Sequence, residues 1–468
     1  MFNNLHEECG VFGIFENKTT YVAQSVYHGL YALQHRGQES CGIAVNDDGV
    51  FRHHRGDGLV HEVFTNEKME RLGMGNMAIG HVRYSTTGGK NVNNIQPLVI
   101  RHIKGNLAVA HNGNLVNAPD LRKQFELKGG IFHGTSDTES IAYSIVAERL
   151  TSKSTEEAVE KVMHSLKGAY SCVVMTATKL IAFRDPDGFR PLCLGKTADG
   201  AWIVSSESCA IDSIGAEFVR DIAPGEIVVI STEGVESIKT HCGSKGNICV
   251  FEYIYFARPD SVIEGSSVQH ARIRAGRFLA QEHPVDADIV IGVPDSGLDA
   301  ALGYAQESKI PYGIGFVKNR YIGRSFIQPN QNQREDAVRI KLNVIKENIK
   351  GKRVIMIDDS IVRGTTCARI VALLREAGAK EVHMRVSAPP FKYPCFFGTD
   401  VDSQENLIAC KFDTVDEIAK EIGVDSLGYL SVSATKKLAE NSDCGFCDGC
   451  FTGCYPVEVP KEQPKDKF

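Results

Sequence analysis

Cys9 is the first residue whose position could support chemistry, because its thiol opens an apolar, strand-like run directly after the polar segment 1–8. If that segment is removed, Cys9 becomes the N-terminal residue and carries a free α-amine beside its thiol. An α-amine has a pKa of about 7.7 to 8.0, which is low enough to accept the thiol proton near neutral pH. The pattern therefore indicates a nucleophile that processing supplies with its own base. The alternative is a small buried cysteine at the start of a strand.

A second chemically suggestive segment, 354–366, combines a buried-strand pattern, two adjacent acids and a loop rich in Ser, Gly and Thr. Parallel strands of an α/β sheet bind ligands at their carboxyl ends, which is where Asp358 and Asp359 are predicted to lie. These carboxylates can accept hydrogen bonds from sugar hydroxyls and can hold Mg²⁺ directly or through water. Because a helix is predicted over 367–377, its N-terminus can bind a phosphate or can simply follow an ordinary cap. The loop residues expected to surround that phosphate are Ser360, Gly364, Thr365 and Thr366.

The composition limits the classes of protein that fit. With 468 residues the chain is too long for one hydrophobic core and should divide into about two or three domains. The net charge of -6 provides no basic field for nucleic acid and no polybasic patch for anionic lipid. Segment 1–8 lacks the features of a secretory signal, and no apolar run approaches the roughly 18 residues of a membrane span. We therefore expect a cytoplasmic protein with small-molecule partners and no disulfides.

Two regions of the chain differ in their predicted pattern of strands and helices. From residue 9 to about 244, short strand-like runs surround helical patches near 22–34 and 137–165, which indicates stacked sheets flanked by helices. From about residue 249, near-continuous Val and Ile runs alternate with long amphipathic helices, as in a doubly wound parallel sheet. The predicted boundaries are a leader at 1–8, a first domain at 9–244, a second domain at 245–440 and a cysteine-bearing tail at 441–468.

The segment 354–366 resembles the fingerprint of type I phosphoribosyltransferases, which bind phosphoribosyl pyrophosphate. The resemblance implies a doubly wound parallel sheet in the second half and adds Arg363 to the residues around the substrate. The segment 293–297 looks like the pyrophosphate loop of that family. Ser296 is by that match a further candidate near Mg²⁺, beside the two acids.

The segment 318–324 resembles the mobile flap that closes over the substrate in the same family. Lys318 and Arg320 would then bind the pyrophosphate leaving group through their charges. The alternative is a solvated basic loop.

Three strings in the first half fit the recognition of a small amino acid. Arg83 ends a strand-like run and offers a guanidinium suited to bidentate binding of a carboxylate. The Asn112 amide and the Gly113 N–H could form an oxyanion hole, although an Asn-Gly pair is by default a hairpin turn. Asp137 could pair with an ammonium group, although the spacing of 136–139 is that of a capping box at a helix start.

Together with Cys9 and the string 34–39, these segments resemble the glutaminase domain of the N-terminal nucleophile amidotransferases. The resemblance implies an αββα sandwich, glutamine as the substrate and a thioester on Cys9. The residues implied to contact glutamine are Arg36, Arg83, Thr86 and Asp137, and those implied to act in catalysis are Cys9, Asn112 and Gly113.

The two resemblances together cover nearly the whole chain and imply one reaction. Ammonia released from glutamine would pass through an internal channel to C1 of phosphoribosyl pyrophosphate, giving 5-phosphoribosylamine, glutamate and pyrophosphate. This reaction is the first committed step of purine synthesis, so purine nucleotides are the implied feedback inhibitors. The implied assembly is a homotetramer.

The tail contains Cys444 and Cys447 in a C-x₂-C pair, followed by Cys450 and Cys454. Spacing alone fits Zn²⁺, an iron–sulfur cluster or no metal. The branch of the amidotransferase family that carries a leader also carries one [4Fe–4S] cluster. The ligands that the resemblance implies are Cys249, Cys395, Cys444 and Cys447. Either Cys450 or Cys454 could substitute for a tail ligand.

Two other functions compete with this interpretation. A glutaminase coupled to a sugar-phosphate isomerase would share the first half of the chain but would lack the phosphate fingerprint at 358–366. A ligand-sensing regulator on a phosphoribosyltransferase fold would need a DNA-binding module and a basic surface, and the sequence indicates neither. Assays with glutamine and with ammonia separate all three.

Overall fold

The computed structural model describes residues 9–84, 92–319, 342–399, 401, 403–440 and 442–460. The predicted leader 1–8, the predicted glutamine contact Thr86 and the predicted flap residue Arg320 lie outside the described residues. Within the described ranges, no helix is both long enough and apolar enough to cross a membrane.

The first half consists of two antiparallel sheets with helices on their outer faces. In chain order its strands are β1 (Gly10–Thr20), β2 (Ser40–Asp47), β3 (Val50–Asp57), β4 (Gly75–Arg83), β5 (Leu98–His102), β6 (Gly105–Leu115), β7 (Gly168–Met175), β8 (Leu180–Arg184), β9 (Cys193–Lys196), β10 (Trp202–Ser205), β11 (Glu217–Asp221), β12 (Ile227–Ser231) and β13 (Gly234–Ile238). Its helices are α1 (Val22–Ala32), α2 (Val60–Val63), α3 (Asn66–Leu72), α4 (Ala118–Glu126), α5 (Asp137–Arg149), α6 (Thr155–Met163) and α7 (Ser208–Ser213). The strand orders are β11-β9-β10-β1-β4-β2-β3 and β13-β12-β8-β7-β6-β5.

The two sheets pack face to face, which explains why several of their strands are apolar throughout. In β7, Val173 lies in the core between the sheets together with Ile79 of β4. Its neighbours Cys172 and Val174 point the other way, into the core beneath α5 and α6, because successive side chains of a strand alternate. On the outer face of the other sheet, α1 packs against β1 and β4. The predicted αββα sandwich is confirmed.

Two local predictions for this half differ from the structure. The helical patch predicted over 137–165 divides into α5 and α6, because Ser154 caps the second helix by accepting a hydrogen bond from Glu157 N at 3.2 Å. The Asn112-Gly113 pair does not form a hairpin turn. Both residues lie inside β6 and pair with β7.

The second half is built on a four-stranded parallel sheet of order β17-β20-β21-β22. Its strands are β14 (Asn247–Cys249), β15 (Val262–Ile263), β16 (Ser266–Ser267), β17 (Ile289–Gly292), β18 (Phe316–Lys318), β19 (Leu342–Val344), β20 (Arg353–Asp358), β21 (Glu381–Val386), β22 (Ser426–Tyr429) and β23 (Gly445–Cys447). Its helices are α8 (Val268–Glu282), α9 (Gly297–Ser308), α10 (Lys346–Ile349), α11 (Thr365–Glu376), α12 (Ile408–Lys411), α13 (Val415–Ile422), α14 (Val432–Thr435) and α15 (Gly449–Thr452). The predicted doubly wound parallel sheet is confirmed.

The register of this sheet brings two of the predicted loops together. Gly292 at the end of β17 pairs with Ile357 near the end of β20. Because parallel strands end at the same edge, the segments 293–297 and 358–366 leave the sheet side by side.

The junction between the halves also holds the tail. A π-helix spans Glu252–Phe256, directly after β14. Strand β14 pairs in parallel with β23, which places Cys249 opposite Cys447. The tail is thereby fastened to the junction.

Candidate active sites and a cysteine cavity

Cys9 lies immediately before β1, beside the end of β4. The register of these strands pairs Gly10 with Val82, and Cys9 Sγ lies 3.5 Å from the carbonyl oxygen of Tyr84. Arg83, the predicted ligand of the glutamine carboxylate, is largely buried at the end of β4. The structure therefore brings the predicted nucleophile and this arginine to the same end of one sheet.

Asn112 lies on β6 in the opposite sheet. His81 of β4 contacts the same strand. His81 Nε2 lies 3.0 Å from the carbonyl oxygen of His111. Burial lowers the pKa of His81 to about 3, so its ring is neutral. Asn112 is buried, and its Nδ2 finds no hydrogen-bond partner among the described residues. An unpaired amide N–H of this kind is available to a developing oxyanion.

Gly113 follows Asn112 at a position that requires glycine. Its φ of 138° lies in the region that favours glycine, and a Cβ here would stand 2.2 Å from the carbonyl oxygen of Ala169. The close approach of β6 and β7 thus fixes the main chain whose N–H is predicted to face the oxyanion.

Asp137 begins α5 and already binds the protein main chain. Its carboxylate accepts a hydrogen bond from Leu115 N at 3.0 Å and lies 3.5 Å from His111 Nδ1. Burial alone would raise its pKa, but the His111 ring and the N–H groups of Leu115 and Thr138 outweigh burial and lower the pKa. Asp137 is therefore an anion, as the binding of an ammonium group requires.

The start of α5 differs in one detail from a capping box. Ser136 caps the helix, but Glu139 accepts hydrogen bonds from His133 N and Gly134 N, both at 2.9 Å. Glu139 therefore stabilises the loop before the helix, and Asp137 is held at the end of that ordered loop.

Arg36 occupies a position that does not fit the predicted contact with glutamine. Its side chain is fully buried, and its two Nη atoms bind the carboxylates of Glu207 and Glu252 at 2.7 to 2.9 Å. Two protein carboxylates thus already bind the Nη atoms that a substrate carboxylate would need. Arg36 Nε instead donates to the carbonyl oxygen of Cys9 at 3.0 Å. Arg36 holds the main chain of the nucleophile.

Sequence reasoning missed both glutamates. They lie 171 and 216 residues from Arg36 along the chain, and no local pattern connects such distant positions. His81 was also missed, although its place on an apolar strand next to Arg83 was a usable signal, because a buried histidine needs a polar partner.

Asp358 and Asp359 end β20 at the carboxyl edge of the parallel sheet, as predicted. Asp359 N donates to Asp358 Oδ1 at 2.9 Å, and the hydroxyls of Ser296 and Ser360 both donate to the Asp359 carboxylate. Neither acid forms an ion pair with a described residue. Burial raises the pKa of both carboxyls, and the charge of Asp359 raises that of Asp358 further.

The pyrophosphate loop and the start of the predicted flap meet at this same edge. Ser296, which contacts Asp359, stands just before α9. Lys318 at the end of β18 forms an ion pair with Asp295. A cation predicted to bind pyrophosphate therefore lies against the predicted pyrophosphate loop.

The loop after the acids leads into the start of α11. Ser360 and Arg363 are half-buried within it, and Thr365 and Thr366 open the helix. Gly364 has a φ of 82°, so glycine is needed to turn the chain into the helix. A phosphate is predicted to bind here, at the N–H groups of the first helical turn.

A third feature is an enclosed space that we call the cysteine cavity. Its thiols belong to Cys249, Cys395, Cys447 and Cys450, and its other walls are mainly aromatic, with Arg190 beside them. Burial raises the pKa of Cys447 to about 12 and raises that of Cys450 well above its usual value. These two thiols would lose their protons only to a bound cation.

The lining of the cysteine cavity differs from the predicted ligand set, because Cys450 lines it and Cys444 does not. Residues three apart in a strand point to opposite faces, so Cys444 and Cys447 diverge around β23. After β23 the chain turns into α15, which brings Cys450 back to the side of Cys447. Cys454 is exposed and lies outside the lining.

The four thiols do not form a site for one ion. Across the part of the chain that the structure describes, no group of three or more His, Cys, Asp or Glu side chains is arranged so that it could hold a metal ion.

Two family models match the chain, one in each half. A glutamine amidotransferase domain matches residues 81–213, and a phosphoribosyl transferase domain matches residues 266–394. The first match contains Arg83, Asn112 and Asp137, and the second contains the acids of β20.

Curated relatives match over nearly the full length. The chain is 49% identical to the amidophosphoribosyltransferase of Methanocaldococcus jannaschii, covering 97% of this chain and 99% of the relative. It is 48% identical to the Bacillus subtilis protein of the same name, covering 97% and 95%. The same name belongs to an Archaeoglobus fulgidus relative at 48% identity, covering 97% and 99%.

Two solved structures superpose on the whole fold. One, described as the allosteric regulatory enzyme of purine biosynthesis, has a TM-score of 0.90 at 48% identity and covers 97% of each chain. The other is the glutamine phosphoribosylpyrophosphate amidotransferase from B. subtilis in complex with ADP and GMP. It has a TM-score of 0.89 at 47% identity, with 97% of this chain and 98% of that chain covered.

Proposed function

The chain belongs to the amidophosphoribosyltransferase family of enzymes, and from this premise we propose that it transfers ammonia from glutamine to C1 of 5-phosphoribosyl 1-pyrophosphate. This reaction is the first committed step of purine synthesis. The observation that carries the proposal is the presence of two different candidate sites in one chain. In the first half, Cys9 lies at the same end of its sheet as Arg83. In the second half, Asp358 and Asp359 at the end of β20 precede the start of α11, where a phosphate can bind. A glutaminase coupled to a sugar-phosphate isomerase would not need the second site.

The glutamine reaction begins with the α-amine of Cys9, which is free once segment 1–8 has been cleaved off. The amine takes the thiol proton, and the thiolate attacks the amide carbon of glutamine. Asn112 Nδ2 and the Gly113 N–H donate to the resulting oxyanion. As this intermediate collapses, its C–N bond breaks and the α-ammonium group of Cys9 gives its proton to the departing nitrogen. Ammonia is released and a thioester remains, which water cleaves to glutamate and the free thiol.

Recognition of glutamine uses charges at both ends of its backbone. Arg83 binds the α-carboxylate, and the Asp137 carboxylate binds the α-ammonium group. The family resemblance adds Thr86, which follows β4 in the sequence, to the residues that contact glutamine.

The phosphoribosyl reaction forms a bond between ammonia and C1 while the C1–O bond to pyrophosphate breaks. The pyrophosphate leaves with the bonding electrons, and Lys318 and Arg320 neutralise its charge. The 5-phosphate binds at the start of α11, where Gly364, Thr365 and Thr366 offer N–H and hydroxyl groups.

Mg²⁺ fits the acids at the end of β20. Asp358, Asp359 and Ser296 offer the hard oxygen ligands that this ion prefers, and the two buried carboxylates form no ion pair with a described residue. When bound there, the ion would stabilise the charge of the departing pyrophosphate.

A [4Fe–4S] cluster fits the cysteine cavity, with Cys249, Cys395, Cys447 and Cys450 as its ligands. Four thiols line one space there, and the cysteines of such a cluster bind separate irons. The group would be structural. It would tie the junction and the tail together and so restrict the unfolded chain as a cross-link does.

The finer biological setting is also part of the proposal. We assign the enzyme to the cytoplasm, as a homotetramer that purine nucleotides inhibit. The B. subtilis structure in complex with ADP and GMP supports the choice of nucleotides to test. Mass photometry and inhibition by GMP with ADP would test assembly and regulation.

The function is tested by rates with phosphoribosyl pyrophosphate, Mg²⁺ and either glutamine or ammonia. Wild-type enzyme should use both nitrogen sources, whereas Cys9→Ala should use only ammonia. Cys410→Ala, which removes an exposed thiol, is the matched control and should keep both activities. A wild-type protein that uses neither source would overturn the proposal.

The leader is tested by intact mass. Active wild-type enzyme should begin at Cys9, and Cys9→Ala should retain residues 1–8 if cleavage uses the thiol. Fully glutamine-active protein that begins at Met1 would contradict the role of the α-amine.

The cluster is tested by a matched pair of tail variants purified without oxygen. Cys450→Ser should lose iron, sulfide and brown colour, together with solubility, whereas Cys444→Ser should keep all of them. Loss in Cys444→Ser alone would contradict the ligand set. About one zinc per chain and no iron would overturn the cluster and would leave both catalytic sites as they are.

A further inference from the structure

A buried group of charges lies between the halves of the chain and connects the surroundings of Cys9 to the junction. Its members are Arg36, Arg190, Glu207 and Glu252, and all four side chains are fully enclosed. Arg36 and Arg190 face the two anions, and Arg190 Nη1 lies 3.4 Å from the Glu252 carboxylate that also binds Arg36. His35 Nε2, at the edge of the group, lies 2.8 Å from Glu207 Oε1. Buried ion pairs are poor sources of stability, because desolvation offsets their attraction. The group therefore calls for another role.

Arg36 connects this group to the nucleophile. Glu252 forms a bidentate ion pair with Arg36, with Glu252 Oε1 2.8 Å from Arg36 Nη2 and Glu252 Oε2 2.9 Å from Arg36 Nη1. A two-bond fork fixes both the place and the plane of a guanidinium. The remaining Nε is thereby aimed at the carbonyl oxygen of Cys9, 3.0 Å away. This contact helps to hold the main chain of the residue that supplies both amine and thiol.

Glu252 itself belongs to the junction and is placed by the phosphoribosyl half. It begins the π-helix Glu252–Phe256, and such turns are frequent at functional sites. Arg272 of α8 donates to the carbonyl oxygens of Tyr253 and Ala257 at 2.9 and 2.7 Å. The Arg272 side chain is almost completely buried. A helix of the phosphoribosyl half therefore holds the π-helix in place.

We propose that Glu252 is a positioning residue for the glutamine reaction. Through Arg36 it fixes the main chain of Cys9, and it makes that geometry depend on how the phosphoribosyl half docks. The inference rests on the proposed function, since it gives Glu252 a part in the cleavage of glutamine at Cys9. Glu252 lies outside both matched domain segments, 81–213 and 266–394.

The decisive variant is Glu252→Gln, which keeps the shape of the side chain but replaces one oxygen of the fork by an NH₂ group that repels Arg36. The matched control is Glu264→Gln. Glu264 also forms an ion pair across the two halves, with the buried Arg184 at 2.5 Å, but it has no contact with Arg36. Both variants therefore remove one charge from a junction pair.

Three readouts are compared in the two variants: glutamine-dependent kcat and KM, ammonia-dependent kcat and KM, and the rate at which iodoacetamide alkylates Cys9 in the absence of substrates. In Glu252→Gln, glutamine-dependent kcat should fall at least about ten-fold, as expected for loss of a charged hydrogen bond. Its ammonia-dependent kcat should stay within about two-fold of wild type, and alkylation of Cys9 should slow. Glu264→Gln should match wild type in all three.

Unchanged glutamine kinetics and alkylation in Glu252→Gln would overturn the inference. An equal fall of both activities would also overturn it, because that pattern reports general misfolding. If Glu252→Gln is insoluble, Glu252→Asp carries the test and should lower glutamine use without loss of ammonia use. Failure of the proposed function is recognised separately, since wild-type enzyme would then use neither nitrogen source.

Discussion

Two pairs of buried carboxylates in this molecule differ in what balances their charge. Glu207 and Glu252 face the guanidinium of Arg36, and although burial opposes ionisation, neighbouring cations lower the pKa of Glu207. Asp358 and Asp359 form no ion pair within the described part of the chain, and burial raises the pKa of both. Glu207 and Glu252 have their charge balanced within the protein, and we call them the complete pair. Asp358 and Asp359 have no such balance among the described residues, and we call them the incomplete pair.

This difference separates a structural use of acids from a ligand-binding use. Carboxylates that are matched by internal cations fix one geometry and need no further partner. Carboxylates that are buried together without a cation repel one another. An external cation that binds between them is therefore attracted by both negative charges. We expect the two pairs to respond in opposite ways to mutation, to Mg²⁺ and to pH.

The largest effect is expected when the complete pair is broken. Arg36→Met leaves two carboxylates buried without their cation and should lower the free energy of unfolding by about 3 to 5 kcal/mol. Thermal and urea unfolding measure the change. The control is Arg353→Met, which removes a partly exposed partner of Asp286 and Asp288 and should change the free energy of unfolding far less. Equal losses in both variants would remove the distinction between buried and surface pairs.

A somewhat smaller effect is expected when Mg²⁺ binds the incomplete pair. At about 100 times its Kd the ion should stabilise wild-type protein by about 2.7 kcal/mol. The gain should vanish after chelation and in Asp358→Asn, and it should persist in Arg353→Met. Calorimetric melts with and without Mg²⁺ measure it. A similar gain in Asp358→Asn would place the ion elsewhere.

A still smaller effect is expected from relieving the repulsion itself. Without Mg²⁺, Asp358→Asn should stabilise the protein by about 1 kcal/mol, as is common where a functional site is strained. The same variant should lower ammonia-dependent and glutamine-dependent rates together, because both routes pass through the phosphoribosyl site. Arg83→Ala should instead raise the glutamine KM alone. A destabilised Asp358→Asn would show that the acids are balanced in a way not seen here.

The smallest effect concerns pH. Asp358 and Asp359 have pKa values raised by folding, so their contribution to stability is largest at low pH and is lost as pH rises through the folded values. Glu207 has a lowered pKa, so its contribution is present at neutral pH and is lost as pH falls. As the pH falls, metal-free wild type should therefore gain stability relative to Asp358→Asn. A constant difference would contradict the raised pKa values.

The parts of the sites that could be predicted from sequence are those encoded in one continuous segment. The acids and the phosphate loop follow one another within 358–366, so their proximity needed only a parallel strand and a helix start. Asp137 was likewise tied to the first turn of a helix. The placement of Arg36 could not be predicted, because its carboxylates come from distant segments that only the tertiary fold brings together.

The proposed cysteine ligands show a different limit. Cys444 with Cys447 and Cys447 with Cys450 have the same C-x₂-C spacing. Spacing therefore cannot choose between them. The choice depends on where β23 ends and α15 begins, because an extended chain separates the first pair and a helical turn unites the second.

The most direct test of the two-site reaction follows the nitrogen atom. Wild-type enzyme that begins at Cys9 receives phosphoribosyl pyrophosphate, Mg²⁺ and glutamine labelled with ¹⁵N in the amide, with unlabelled ammonium in large excess. The phosphoribosylamine is trapped as it forms, and its isotope content is read by mass spectrometry. Transfer from Cys9 to C1 inside the protein predicts a product that is mostly ¹⁵N. A product with the isotope content of the surrounding ammonium would contradict it.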